Sequence, residues 1–405
     1  MKYRYRVLSC ALVGIVAMMP MAVAAQTAGQ AAGSAYDPPR TPWGDPDLQG
    51  LWRGLHEVPF VRPPEYKDRQ FRTDAEIAEL ERKAEASNEL RRLGKQENRG
   101  FRNQPNYNSI VGYSPEKARF SRRTSAIVDP ADGQLPPWTV EQVNRYEWRE
   151  SVSLGRGDAD WTVDRPASER CIPIMRTPAL TNWGMATSGR PAGPQATAGT
   201  VQGGAAFFVN TSSGGGPRRI IQGPGYVAIV IEEGVETYHI IPLNRSPHVG
   251  PKFKHWLGDA RGHWEGTTLV VETTNIKYNY PIVLTYQDGG TGLYPGEGNT
   301  LRFVERFTMV GPDTIEYRYT VEDPSVYTRP YTVVHELTRN DGYKISSPIC
   351  HEGHDDMPAA LGSARLDEET HIQNQLDMVQ EREPRLKELK EEAIRAAEAA
   401  KQPNR

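Results

Sequence analysis

The chain has 405 residues and a formal net charge of −3, and 38% of its residues are hydrophobic. The slight negative charge argues against nucleic acid as a partner, and the plentiful Gly, Pro, Tyr and Trp favour a loop-rich β protein over a helical bundle. Beyond residue 25 the sequence has no apolar stretch long enough to cross a bilayer, so we expect no membrane span in the mature protein.

Residues 1–25 have the layout of a cleaved secretory signal. A basic start containing Lys2, Arg4 and Arg6 precedes an apolar run, and small residues follow before Gln26. We therefore predict a periplasmic or secreted protein whose mature chain begins near Gln26. An uncleaved membrane anchor is the alternative, which the short apolar run disfavours.

Removal of the signal leaves two cysteines, Cys171 and Cys350. In an oxidising compartment, an isolated pair of this kind predicts one disulfide bond. A reactive thiol at either position is the alternative. A bridge would hold the loop containing Glu169 and Arg170 beside the loop containing His351, as a polar cluster at one rim of the fold.

Residues 26–125 predict an irregular arm that docks on the main domain. Its Pro- and Gly-rich segment 42–52 cannot form a long helix, and the two tryptophans in it require burial. Thr73 and Glu76 have the spacing of a capping box ahead of an apolar periodicity, which predicts a helix over 73–93. The pattern of 136–150 indicates a second, short helix.

The main domain is predicted over 126–365 and is mainly β. Seven runs rich in Val, Ile, Thr, Tyr and Phe are separated by turn residues. These runs are 218–222, 226–232, 236–243, 269–275, 300–309, 314–322 and 327–338. Sequential antiparallel strands in this number favour a lipocalin-like barrel or a sandwich. The charged segment 366–405 predicts an exposed helical tail, interrupted near Pro384.

The stretch 248–275 has the highest density of chemically capable side chains in the sequence. We interpret 258–262 as a charged reversal between β-rich runs, with Trp256 and Trp264 meeting across it as an aromatic pair. The alternative is purely structural, in which Asp259 and Arg261 hold the turn by an ion pair.

Seven short motifs are spread over most of the mature chain. They are PWGDPDLQG at 42–50, SERC at 168–171, PGYV at 224–227, GDARGHWEG at 258–266, TLVVETTN at 268–275, VERFT at 304–308 and CHEG at 350–353. Together they resemble the landmarks of a widespread family of secreted, mostly hypothetical bacterial proteins. The resemblance implies a secreted, β-rich protein and no particular activity. After CHEG, this chain has His354, Asp355 and Asp356 where the family pattern has Asn-Tyr-Gly.

Alternation along the predicted strands places Glu305 and His335 each on a side shared with large apolar residues. An apolar lining raises the pKa of a carboxyl group, which suits a general acid or base. The alternative is that Glu305 pairs with an arginine, such as Arg329, inside the barrel.

A possible metal site is formed by His351, His354 and Asp355, whose side chains are those of many zinc or iron sites. Their spacing is not that of a helical site, and Gly353 indicates a loop. We therefore predict no cofactor, with a divalent metal at these three residues as the alternative. The sequence contains no dinucleotide fingerprint, phosphate loop or Gly-x-Ser-x-Gly elbow, which disfavours hydride transfer, kinase and common esterase chemistry.

These patterns predict a cofactor-independent enzyme that works by acid and base on a small aromatic or sugar-like substrate, as a lyase, hydratase, isomerase or hydrolase. The candidate catalytic residues are His248, His263, Asp259, Glu305, His335 and His351, and the candidate substrate-binding residues are Trp256, Trp264, Arg261 and Arg306. Two alternatives stay open. One is a lipocalin-like binding protein for an apolar ligand, and the other is a structural envelope protein that docks through its C-terminal helix.

Overall fold

The computed structural model describes residues 36–54, 56–92, 119–153, 218–231, 237–277, 300–342 and 368–401. The predicted signal, Cys171, Cys350 and the possible metal ligands His351, His354 and Asp355 lie outside these residues. Among the described residues, no helix is both long and apolar enough to pass through a bilayer.

The described chain is mainly β, and nine of its strands form a nearly closed antiparallel barrel. The strands are β1 Gly50–Arg53, β2 His56–Glu57, β3 Arg119–Phe120, β4 Ile127–Asp129, β5 Arg218–Gly223, β6 Tyr226–Ile231, β7 Thr237–Pro242, β8 Asp259–Glu265, β9 Thr268–Thr274, β10 Arg302–Gly311, β11 Thr314–Glu322 and β12 Tyr331–Arg339. Their hydrogen-bonded order around the barrel is β7-β6-β5-β1-β12-β11-β10-β9-β8, with β4 also paired to β12. The barrel prediction is confirmed, as are all seven predicted strands.

The barrel stays open in its hydrogen bonding at a seam between β7 and β8, which lie side by side but do not pair in the described strands. All eight pairings around the barrel are antiparallel, so these two outermost strands run in the same direction. Side chains fill the seam, because a Cβ on Gly262 would stand 2.7 Å from methyl groups of both Ile241 and Leu243. Parallel neighbours require a long return connection. Residues 243–258, called the crossover below, provide it.

Burial alternates along the strands, so that one side of each strand faces the barrel interior. Along β11, partly buried and fully buried side chains alternate at every position, and along β10 they alternate over most of its length. The inward aromatic rings contact one another: the centroids of Phe307 and Tyr317 are 4.8 Å apart, and those of Phe303 and Tyr319 are 5.3 Å apart. The core therefore lies inside the barrel.

The N-terminal arm supplies a barrel strand, which the sequence did not reveal. β1 pairs with both β5 and β12, and Trp52 is fully buried beneath the Arg339 guanidinium, 4.4 Å from its ring centre. Gly50 has φ +140°, a conformation that L side chains rarely adopt, and a Cβ there would also displace the Arg339 guanidinium, whose Nη1 it would approach to 2.3 Å. Residues 50–53 are thus part of the barrel instead of docking on it.

Three α-helices and one short 3-10 helix accompany the barrel in the described chain. The α-helices are α1 Asp74–Arg92, α2 Val140–Ser153 and α3 Glu368–Lys401, and the 3-10 helix is Pro64–Tyr66. The predicted capping box of α1 is confirmed, since Glu76 N–H donates to Thr73 Oγ1 at 3.3 Å and Thr73 N–H donates to the Glu76 carboxylate at 2.7 Å.

The C-terminal helix differs from its prediction in two respects. α3 continues through Pro384, so the predicted interruption there is wrong. The helix is also only partly exposed: Ala393 is buried, and Lys390 forms a 2.6 Å ion pair with Glu147 of α2. Contact with another helix stabilises a sequence that, by its charge alone, predicts a solvated tail.

Candidate functional site

The barrel interior contains a compact polar group among its aromatic residues. Glu305 of β10 stands opposite Tyr319 of β11, and Tyr317 stands opposite His335 of β12. Residues paired in this way, or two apart on one strand, share a side of the sheet, and all four are buried. These four residues, Glu305, Tyr317, Tyr319 and His335, are called the interior site below.

Glu305 is held as a neutral acid at neutral pH. Its side chain is 1% exposed, and burial raises the pKa of its carboxyl group to about 8, although the Tyr317 hydroxyl opposes this by donating a 2.6 Å hydrogen bond. The expected rise in its pKa is confirmed. The expected alternative, a pair with Arg329, is wrong, because that guanidinium bonds Asp129 on the exposed side at 2.6 Å.

Tyr319 and His335 supply polar atoms that have no hydrogen-bond partner among the described residues. The Tyr319 hydroxyl and both ring nitrogens of His335 are buried without one, and the two rings stack with centroids 6.1 Å apart. Burial lowers the pKa of His335 to about 4, and burial together with Glu305 raises the pKa of Tyr319 well above its ordinary value. Both groups are therefore neutral at neutral pH.

Further polar side chains point into the same barrel. The Thr273 hydroxyl and the Trp264 indole nitrogen are buried and lack a hydrogen-bond partner within the described ranges. Arg218 and His239 also lie on the inward side of their strands and are almost fully buried, and burial lowers the pKa of His239 to about 4. Buried polar groups in native proteins normally have partners, so the atoms of Tyr319, His335, Thr273 and Trp264 that have none among the described residues suit this interior to a ligand that carries polar atoms.

The second polar cluster lies on the outer face of the barrel. His248 in the crossover bridges two carboxylates: its Nδ1 is 3.0 Å from Asp259 and its Nε2 is 3.2 Å from Glu272. Arg302 bonds Glu272 and also bonds Glu322 at 2.8 Å. This chain of ion pairs, called the ladder below, ties the crossover to β8 and β9. Both nitrogens of His248 are engaged in it, so the histidine is not free to act as a base.

The charges of this ladder are stabilised by their neighbours. Burial alone would raise the pKa of Asp259, but the Val249 N–H at 2.9 Å, His248 and Arg261 outweigh it, so the pKa lies below its ordinary value. The hydrogen bond from Arg302 is the main reason that the pKa of Glu272 is lowered. Both groups are therefore carboxylates at neutral pH.

A smaller outer cluster contains His263 and Arg306. Both contact Glu265, His263 at 3.1 Å and Arg306 at 2.5 Å, and the bond from Arg306 is the main cause of the lowered pKa of that carboxyl. All three side chains are more than a third exposed. An exposed ion pair of this kind contributes little to stability.

The predicted reversal at 258–262 is wrong, because these residues enter strand β8 and the chain turns at Gly266 instead, where φ is +60°. The charged residues occupy the outward positions of the strand, and Ala260, Gly262 and Trp264 occupy the inward ones. The ion pair between Asp259 and Arg261 does exist, at 2.5 Å. It lies along one strand and does not close a turn.

The predicted pair of tryptophan rings is absent from the described aromatic contacts. Trp256 lies beneath the Lys277 ammonium, 4.7 Å from its ring centre, at the end of the crossover. Trp264 points inward and packs on the core. The change from turn to strand separates the two rings.

The sequence-predicted residues thus fall into separate places. Glu305, His335 and Trp264 face inward, whereas His248, Asp259, Arg261, His263 and Arg306 lie outside. Sequence reasoning missed Tyr317 and Tyr319, although the alternation of Ile315, Tyr317, Tyr319 and Val321 is readable in the sequence. Within the described ranges, no group of three His, Cys, Asp or Glu side chains is arranged to hold a metal ion.

Comparison of the chain with models of protein families, with curated proteins and with solved structures finds no match.

Proposed function

We propose that the interior site binds a small aromatic or sugar-like molecule and that Glu305 transfers a proton to it. The observation that supports this most directly is a neutral carboxylic acid inside the barrel, with a pKa of about 8, beside buried polar atoms that have no partner among the described residues. A general acid works best when its pKa lies near the working pH, and burial tunes Glu305 to that range.

The surrounding residues would support such a step. When Glu305 gives up its proton, the resulting carboxylate is stabilised by the hydrogen bond from Tyr317, 2.6 Å away. Neutral His335 can donate one hydrogen bond and accept another, and the Tyr319 phenol can donate to a substrate oxygen. The reaction class that fits is proton transfer within a lyase, hydratase, isomerase or hydrolase, without a cofactor.

The rings around the site favour a flat or ring-shaped substrate. Phe303 and Phe307 flank Glu305 on β10, and each lies against a tyrosine of β11. Aromatic faces bind planar rings and the apolar faces of sugars, while the polar atoms between them fix orientation. The proposal keeps the periplasmic or secreted setting, which rests on the layout of residues 1–25 and on the family resemblance.

The test compares Glu305→Gln with His263→Ala on a panel of hydroxylated aromatic compounds and glycosides. General acid catalysis is worth about 10²–10⁴-fold, so Glu305→Gln is expected to lose at least about 100-fold in kcat, since the amide cannot donate an acidic proton. His263→Ala alters a histidine on the outer face and is expected to keep full turnover. Full activity of Glu305→Gln would contradict the proposal.

A second function, lipocalin-like binding without conversion, is favoured by the same unpartnered polar atoms of Tyr319, His335 and Thr273. Native mass spectrometry of gently purified protein separates the two. A retained small molecule that is never converted, and that His335→Phe no longer retains, would assign the interior to binding alone.

A further inference from the structure

Exposed apolar side chains cluster on one part of the outer barrel wall. Six of the twelve large hydrophobic side chains exposed in the described chain lie between residues 221 and 253. They are Ile221, Tyr226, Tyr238 and Ile240 on β5–β7, and Val249 and Phe253 in the crossover. Single exposed hydrophobic residues are ordinary, but such a concentration marks an interaction surface.

The sheet part of this surface is continuous. Ile221 pairs with Ala228, which pairs in turn with Ile240, so the three outward side chains cross β5, β6 and β7 in one row. Ile240 is 64% exposed and Tyr238, two residues before it on the same side, is 52% exposed.

The crossover extends this surface past the seam. Ile241 and Leu243 both lie beside Gly262 across the seam. Because β7 and β8 run in the same direction, the stretch from Tyr238 to Ile240 lies near the level of Asp259. His248 ties the crossover to Asp259 at that level. The exposed residues of β7 and of the crossover therefore lie on neighbouring parts of the wall.

Phe253 is at the tip of a turn in the crossover. Its N–H donates to the Gly250 carbonyl at 2.9 Å, and its side chain is 66% exposed, the highest exposed fraction among the large hydrophobic side chains of the described chain. Lys252 and Lys254 flank it in sequence. An aromatic residue between two lysines on an exposed turn has both components of a membrane-interface anchor.

The described segments that form this surface carry only basic charges, although the chain as a whole is slightly acidic and the Asp259 carboxylate lies beside the surface at the Val249 N–H. The described segments 218–231 and 237–257 contain Arg219, Arg245, Lys252 and Lys254 as well as the buried Arg218, and no Asp or Glu. The segment 232–236, which contains three glutamates, lies outside the described residues. A second copy of the chain is disfavoured, because a two-fold contact would bring these basic groups together.

We infer that the outer wall formed by β5–β7 and the crossover docks on the surface of a bilayer that contains anionic lipids, with Phe253 and Ile240 at the apolar level and the lysines at the phosphate headgroups. Basic residues and apolar area contribute jointly to such binding, which is peripheral and needs no spanning element. This inference is independent of the chemistry inside the barrel.

The experiment is co-sedimentation of the full mature chain with vesicles of phosphatidylcholine alone or of phosphatidylcholine mixed with phosphatidylglycerol. We expect binding only to the mixed vesicles. Each lysine near an anionic surface contributes about fivefold in affinity, so Lys252→Gln combined with Lys254→Gln should weaken binding about 25-fold. Phe253→Ser and Ile240→Ser should weaken it as well, because each removes apolar area from the contact.

Two matched controls keep the test specific. Val310→Ser removes an exposed apolar side chain, 44% exposed, from β10, and Lys83→Gln removes a lysine from α1. Both variants should bind as the unmodified protein does. The inference is overturned if the unmodified protein fails to sediment with the mixed vesicles, or if the Lys252 and Lys254 variant and Phe253→Ser bind with full affinity. Self-association in light scattering that Ile240→Ser abolishes would assign the surface to a second copy and overturn it too.

Discussion

Replacement of Glu305 by Gln should change the way in which stability depends on pH. The carboxyl group has an ordinary pKa of 4.5, and burial raises it to about 8 in the folded protein. Between these values the folded state keeps the proton and the unfolded state releases it, so the folded protein becomes less stable as pH rises. The loss is about 1.4 kcal/mol per pH unit and reaches about 5 kcal/mol above pH 8.

Glu305→Gln preserves the shape of the side chain and the Tyr317 contact but cannot ionise. Its free energy of unfolding should therefore lack this loss, and the difference between variant and unmodified protein should grow in favour of the variant as pH rises from about 5 to about 8. All other titrating groups are common to both proteins, so they cancel in the difference. Urea unfolding of both proteins at several pH values in this range measures it.

Glu81→Gln provides the matched control, because Glu81 lies on the exposed side of α1. Its difference from the unmodified protein should stay constant over the same range. A constant difference for Glu305→Gln as well would refute the reasoning, because it would mean that Glu305 is ionised in the folded protein throughout. The acid chemistry proposed for the interior would then lose its basis.

Two further predictions concern the interior and the seam. Burial lowers the pKa of His335 from 6.5 to about 4, so the folded state resists a proton that the unfolded state takes up, and the unmodified protein should lose about 3 kcal/mol relative to His335→Phe as pH falls through this interval. Urea unfolding measures this, and a pH-independent difference would contradict it. Gly262→Ala should destabilise the barrel by about 1–3 kcal/mol, because its Cβ would press on Ile241 and Leu243, whereas Gly311→Ala, whose Cβ has 4.0 Å of room, should have little effect. Equal unfolding midpoints for the two glycine variants would contradict this prediction, because they would show that the seam accommodates a Cβ at position 262.

The seven strands that the sequence predicts are those whose pattern of apolar and polar residues is visible within the strand itself. Alternation of apolar and polar residues is visible within each run, and it also identified Glu305 and His335 as inward residues before any pairing was known. The missed strand β1 has only four residues, follows a Pro- and Gly-rich segment, and pairs with residues more than 160 positions away. β1 is a strand because it pairs with β5 and β12, and no pattern within residues 50–53 predicts that pairing.

Strand β8 was missed for a different reason. Its charged residues suggested a turn, yet on an antiparallel sheet such residues can stand opposite one another on the solvent side, as Arg261 does with Glu272. The alternation of Asp259, Arg261, His263 and Glu265 with Ala260, Gly262 and Trp264 is a strand pattern. In this segment the two-residue period, and not the density of charged residues, indicates the structure.

The densest cluster of reactive side chains in the sequence owes its position to topology. In a barrel with an odd number of otherwise antiparallel strands, the two strands at the seam run in the same direction. Connecting them requires a return segment along the wall. The crossover is that segment. His248 ties it to the outer residues Asp259 and Glu272, whose carboxylates engage both ring nitrogens of the histidine. The interior site needs no such segment, because β10–β12 form one meander and bring Glu305, Tyr319 and His335 to one side of the sheet. Side chains that are dispersed over a meander but share an inward face are therefore brought together by the fold, whereas those of the connection are held along the outer wall.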